Sequence, residues 1–140
     1  MPYYYVCYID GACRGNGQLG AYGGAGLYIP QRDIHAYRSL HTHEKPTNQR
    51  AELTALIMAL DAAIKRRGQL HSSPYFVLQI NTDSKYVIGC LGDWLEKWEE
   101  NGWTNSKGVP VSNQDLIRKA DSLRIEIENW GEVEFQYISR

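Results

Sequence analysis

Three acids are the residues from which chemistry can first be read. Asp10 follows the apolar run Tyr3 to Ile9, Glu52 lies in Thr47-Asn48-Gln49-Arg50-Ala51-Glu52-Leu53, and Asp83 lies in Asn81-Thr82-Asp83-Ser84-Lys85. Glu52 tells most. From Leu53 onward Leu56, Ile57, Leu60, Ala63 and Ile64 recur at three- and four-residue intervals, the stripe of an amphipathic helix turned to a core, and Glu52 sits one turn below Leu56 on that stripe. A first-turn glutamate commonly closes a capping box, but with Asn48 as the cap the third residue on is Ala51, not an acid. A carboxylate on the buried side of a helix start is tolerated when it meets a cation, and the helix dipole favours it there. Asp10-Gly11 also reads as a turn dipeptide, and Asp83 as a cap for the helix after it. Taken together, three acids from three elements would repel one another unless divalent cations neutralised them, and oxygen-only ligands point to magnesium or manganese.

Such a set needs a sheet whose strands end at one edge. Tyr3 to Ile9 is apolar on both faces, as expected of a central strand covered on both sides. Gly20 to Ile29 is a glycine-rich second strand closed by Pro30, and Ile34 to Leu40 is a third, with connections short enough for an antiparallel meander. A helix from Asn48 to about Arg67-Gly68 leads to a fourth strand, Tyr75 to Ile80, and an intervening helix favours parallel pairing with the first strand. Short helices over Ser84 to Leu91 and Trp94 to Glu100 precede a loop from Asn101 to Pro110. A helix over Asn113 to Ile127 then aligns Leu116, Ile117, Ala120, Leu123 and Ile127, and Val133 to Ile138 alternates as a final strand. The order is β-β-β-α-β-α-α-α-β, without internal repeats. With the first and fourth strands parallel neighbours, Asp10 and Asp83 emerge at the same carboxyl edge, where open α/β sheets place their sites.

The 140 residues, 43% of them hydrophobic, suffice for one domain with a core and are too few for two. Lys+Arg 15 against Asp+Glu 16 leave a formal net charge of -1, so the global positive field of many nucleic-acid binders is missing and any such contact must be local. Cys7, Cys13 and Cys90 cannot all pair and have no Cys-x-x-Cys spacing, which argues against a disulfide framework or a zinc site and for a reducing compartment. Met1-Pro2-Tyr3 opens into a strand-like run without signal-peptide features, and no apolar stretch approaches membrane-spanning length. The expectation is a soluble intracellular protein of the cytoplasm or nucleus, with no membrane partner.

The runs Tyr8-Ile9-Asp10-Gly11-Ala12-Cys13, Thr47-Asn48-Gln49-Arg50-Ala51-Glu52, Thr82-Asp83-Ser84 and Trp94 to Trp103, in this order and spacing over nearly the whole chain, resemble the cellular type-one ribonuclease H family. The resemblance implies a single ribonuclease H-like domain over residues 1–140, α/β in class, with a five-stranded mixed sheet and helices on both faces. It further implies endonucleolytic hydrolysis of the RNA strand of an RNA/DNA hybrid by a two-metal-ion mechanism, with Mg2+, or Mn2+ as substitute, no organic cofactor, and a monomeric chain. On that analogy Asp10, Glu52 and Asp83 are the catalytic and metal-binding carboxylates, Asp10 bridging both ions. Two cations about 4 Å apart activate a water on one side of the phosphorus and neutralise the leaving oxygen opposite. DNA escapes because its missing 2′-hydroxyl removes hydrogen bonds the site is built to make.

By the same resemblance Cys13, Arg14, Asn16, Asn48 and Gln49 contact the RNA backbone and its 2′-hydroxyls, and Lys45, Thr47 and Asn113 hold a DNA phosphate. Each is also compatible with an ordinary surface or capping role, and Arg14 replaces the small polar residue expected there. Trp94, Trp98 and Trp103 fall where the family lines a sugar-phosphate path on a basic protrusion, although aromatic residues one helical turn apart commonly just pack. Here Glu96, Glu99 and Glu100 interleave with only Lys97 and then Lys107, so hybrid binding weaker and more salt-sensitive than in a relative with a lysine-rich protrusion is expected. Gly15 to Gly20 spells a dinucleotide-binding pattern but leads into a strand rather than a helix, and reads as a hairpin loop. His41 and His43 lack an evident third metal ligand.

Two rivals accompany this reading: a hybrid- or RNA-binding module without catalysis, and a scaffold domain that binds protein. In the family a further aspartate, on a helix after the fifth strand, completes the site of one ion, and a histidine in the loop before it assists turnover. Neither has a counterpart before Arg140. The chain is therefore expected to be a form shortened after the fifth strand, binding one metal well and the second poorly, and cleaving slowly or only at high manganese.

Overall fold

The computed structural model describes residues 1–14, 22–40 and 46–139. Its strands are β1 (Tyr3–Arg14), β2 (Tyr22–Ile29), β3 (Ile34–Leu40), β4 (Phe76–Thr82) and β5 (Gly131–Tyr137). Its helices are α1 (Asn48–Gln69), α2 (Lys85–Cys90), α3 (Asp93–Glu100) and α4 (Gln114–Glu128), and a 3₁₀ turn, Pro30–Arg32, joins β2 to β3. The strands form one sheet in the order β3-β2-β1-β4-β5. The two short connections give antiparallel pairs, β1 with β2 and β2 with β3, while the helical crossovers give parallel pairs, β1 with β4 and β4 with β5.

β1 differs from its expected form in two ways. It does not stop at Ile9: its last parallel pair is Tyr8 with Asn81, but antiparallel pairing with β2 carries it on through Asp10 opposite Gly26 and Gly11 opposite Ala25 to Arg14. Nor is it covered on both sides. Tyr5, Cys7 and Ile9 are buried beneath α1, whereas Tyr4 and Tyr8 on the other face are 59% and 40% exposed. Tyrosine satisfies either face, since its ring packs and its hydroxyl hydrates, and this hides the alternation in the sequence. Of the covering expected on both faces, α1 and α4 together supply one side.

Where β2 gives way to the 3₁₀ turn, a side chain continues the ladder. The Gln31 amide accepts from the Val6 N–H and donates to the Tyr4 carbonyl, both at 3.0 Å.

α1 begins because Thr47, in extended conformation, accepts a 3.1 Å hydrogen bond on Oγ1 from the Arg50 N–H. Thr47 is therefore the cap, and not Asn48 as expected, because the Asn48 side chain is drawn away to β1. The buried residues of α1 extend beyond a stripe, since Ala55 through Leu60 are all buried. Sheet, α4 and α2 together surround that stretch. Each fully buried leucine, such as Leu53, Leu56 or Leu60, contributes about 1.5–3 kcal/mol.

Candidate active site

The overhang of β1 past β4 is where α1 starts. A Cβ on Gly11 would lie 2.4 Å from the carbonyl carbon of Ala51 and 2.5 Å from the amide nitrogen of Glu52, so only glycine lets the first turn of the helix rest on the strand. Gly11 is thus a close-approach glycine inside a strand and forms no turn. The contact carries the chain at Asp10 to the chain at Glu52.

Asp83 is the first residue after β4, and Ser84, not Asp83, caps α2 by accepting a 3.1 Å hydrogen bond from the Val87 N–H. The same Ser84 hydroxyl donates to Oε2 of Glu52 at 2.7 Å. Asp10 and Asp83 line one open cleft of about 460 Å³ together with Tyr8, Tyr28, His35 and Ile138. Asp10 is exposed, and Glu52 and Asp83 are half-buried. Among the described residues no three Asp, Glu, His or Cys side chains are gathered closely enough to hold an ion as they stand. The donor chemistry fits a hard divalent cation: three carboxylates on three elements that Gly11 and Ser84 fix relative to one another.

Two protic groups, the half-buried Tyr86 and the buried Cys90, feel the charge of Glu52. Burial pushes the Tyr86 phenol above its usual range, and burial pushes the Cys90 thiol up to about 11, the carboxylate of Glu52 adding to both. Both stay protonated at neutral pH. Burial also pushes Cys7 up to about 12, which leaves it an inert core thiol.

Next to the acids, polar residues of β1, α1 and α4 interlock. Asn48 Oδ1 accepts from the Cys13 N–H at 2.8 Å, and the Cys13 thiol donates to the Pro46 carbonyl at 3.2 Å. Gln49 Oε1 accepts from Asn113 Nδ2 at 3.2 Å, and Asn113 Nδ2 also donates to the Tyr86 hydroxyl at 3.0 Å. Arg50 donates to Asn113 Oδ1 at 3.3 Å and grips Asp115 through two bonds of 3.0 and 2.8 Å. Asn113 sits in the left-handed region, with φ 65°, directly before α4. Arg14 lies beyond Cys13 on β1 and lines a second cleft, about 360 Å³, with Asp10 and Tyr37. Asn16, Lys45, His41 and His43 lie outside the described residues.

The ribonuclease H family model matches residues 2–139. The chain belongs to the ribonuclease H family. It is 34% identical over 133 residues to the ribonuclease H of Thermosynechococcus vestitus, covering 95% of this chain and 78% of the relative. It is 36% identical over 132 residues to that of Saccharopolyspora erythraea, covering 94% and 75%. Among solved structures it resembles LC9-RNase H1, a type 1 RNase H with the type 2 active-site motif, at TM-score 0.66 and 26% identity, over 99% of this chain and 64% of the other. LC11-RNase H1 in complex with an RNA/DNA hybrid shares the fold at TM-score 0.66 and 18% identity, over 97% of this chain and 86% of the other.

In this ribonuclease H family chain the tryptophans form a ladder. Tyr86, Trp94, Trp98 and Trp103 follow one another at centroid spacings of 6.3, 6.1 and 6.1 Å, so the row begins at the hydroxyl that Asn113 holds. Trp94 lies flat against Gly89, where a Cβ would meet its ring at 2.4 Å. Trp103 is held at φ 64° by a 2.7 Å bond from its N–H to the Trp98 carbonyl and by two bonds to its own carbonyl, from Val111 N–H and Gln114 Nε2. The basic residues sought between Trp94 and Lys107 are indeed few. Instead α4 supplies one: the Arg118 guanidinium stacks 4.2 Å over the Trp103 ring. Sequence reasoning missed Arg118, as it missed the roles of Arg50, Tyr86, Ser84 and Asp115. Their partners lie on other elements, and no local spacing signals them.

Proposed function

We propose that this chain hydrolyses the RNA strand of RNA/DNA hybrids as a monomeric, intracellular endonuclease that works with magnesium, or with manganese in its place. The observation that carries the reading is the seating of Ala51 and Glu52 on Gly11. It sets the backbone at Asp10 against that at Glu52, which the hydroxyl of Ser84, next to Asp83, also holds, in a member of a family whose curated relatives are named ribonuclease H. A solved neighbour bound to an RNA/DNA hybrid supports the choice of substrate, and the free cysteines suit a reducing compartment.

Bound divalent ions supply an acidified water and neutralise charge on the leaving oxygen. Asp10, Glu52 and Asp83 would hold one such ion between them, and Asp10 alone of the three would contribute to a second. Ser84 orients Glu52, and Tyr86 and Cys90, kept neutral by burial, add no competing charge behind it. Cys13, Asn48 and Gln49 form the polar edge that meets the RNA strand and its 2′-hydroxyls. Arg14, beside the acids, offers a charge-assisted contact to phosphate. With its donors given to Gln49 and Tyr86, Asn113 serves to position that edge. The tryptophan ladder with Arg118 then guides the DNA strand.

A hybrid labelled on each strand in turn, incubated with magnesium, tests this. Cleavage of RNA with intact DNA is expected. A shifted but uncut hybrid would leave a binding module, and neither cutting nor a shift would leave a protein scaffold.

A further inference from the structure

β3 is an outer strand of the sheet, so alternate backbone groups of Ile34–Leu40 point away from β2 and have no strand partner among the described residues. An edge of this kind is a template for another extended chain. Beside it, between β3 and the second half of α1, runs a groove of about 380 Å³. Leu27 and Ile29 of β2, Ile34 and Ala36 of β3 and Met58 and Ala62 of α1 are among its apolar lining. Its rim carries Arg32, Arg38, Lys65 and Arg66 against the single acid Asp61, a local positive surplus in a chain of net charge -1. Arg32 and Arg66 are engaged with Gln69 and with the Tyr3 hydroxyl, and Arg38 and Lys65 are exposed.

We propose that this groove binds an extended peptide segment, added as a strand to β3, whose groove-facing residues are apolar and then acidic. Strand geometry turns every second side chain of the added segment toward the face that bears Ile34, Ala36 and Arg38. Apolar groups entering there cover the half-buried Ile34, Ala36 and Ala62, and an acidic group further along meets Arg38 and Lys65. Edge pairing supplies main-chain hydrogen bonds, and the pockets between strand and helix supply the selection. An inserted helix would leave the edge of β3 unpaired. A nucleic-acid backbone could engage the rim cations but would leave the apolar lining uncovered and the edge of β3 unpaired.

The test is an NMR titration of the 140-residue chain with a short end-capped peptide of threonines in which every second residue is leucine, leucine, then glutamate. The amides of Ile34–Leu40 and of the second half of α1 should shift. Replacing the glutamate by lysine, or introducing Arg38→Glu with Lys65→Glu, should weaken binding about tenfold, because attractions become repulsions at partly desolvated sites. N-methylation of one alternate set of peptide amides should abolish binding, while methylation of the other set should not. Absence of shifts at β3, equal binding of the lysine peptide, or indifference to both methylation patterns would overturn the proposal.

Discussion

The Ser84 hydroxyl donates a 2.7 Å hydrogen bond to the Glu52 carboxylate while it accepts one of 3.1 Å from the Val87 N–H. One small side chain thus fixes both the start of α2 and the aim of an acid on α1. Ser84→Ala should cost about 1 kcal/mol of stability through the lost cap. Magnesium should raise the melting temperature of the parent chain by mass action, and less so in Ser84→Ala and Glu52→Gln. Thermal scans with magnesium and with chelator compare the three proteins. An equal magnesium effect in all of them would remove Glu52 from the metal site.

Asp10→Asn should abolish hydrolysis and leave the fold intact, since Asp10 is exposed and one repulsive charge fewer does not weaken the apo protein. Hybrid cleavage and the unfolding midpoint are the two readouts. Parent-like cleavage would contradict the assignment, and so would a large loss of stability.

Gly11→Ala forces apart β1 and the first turn of α1, where the backbone leaves 2.4 Å for the new methyl group. Overpacking of this kind should cost about 1–3 kcal/mol. Activity should fall further than stability at temperatures where the variant is still folded, because displacing a positioned group by about 1 Å can cost about 100-fold. Cleavage rates measured well below the midpoint separate the two effects.

Hydrogen bonding from the Arg50 guanidinium holds the Asp115 carboxyl below its ordinary 3.8, against a smaller upward push from burial. A lowered native value means that the pair stabilises the protein above the ordinary carboxylate pKa and ceases to do so as pH falls through the native one. Asp115→Asn should therefore cost about 0.5–1 kcal/mol at neutral pH, as expected for a partly exposed pair, and nothing in strong acid. Urea unfolding of both proteins across the acid range gives the comparison.

Much of this was legible in the sequence because it is written locally. The bounds of β3, the length of α1 and the position of Asp83 at the end of β4 follow from periodicity and turn residues. The departures arise where two elements meet. Asp-Gly obeys turn statistics, yet Gly11 answers to a helix packed on it from far along the chain. Thr47 and Asn48 are both competent caps, and the choice was made by the Cys13 N–H, which took Asn48. Arg50 reads as one more polar residue in a helix start until α4 presents Asp115, and Arg118 joins the tryptophans only across the space between α4 and the loop.

The parallel pairing of Tyr8 with Asn81 also has a consequence in time. Of the five strands the earliest made, β1, is the centre of the finished sheet, and its second neighbour is roughly 70 residues behind it, on the order of 4–15 s of synthesis. Until β4 arrives, the tyrosine-rich β1 has only its hairpin partner and presents an open flank. The nascent chain is at its most adhesive early, and the wait ends only when the crossover helix has been made and the fourth strand can close on the first.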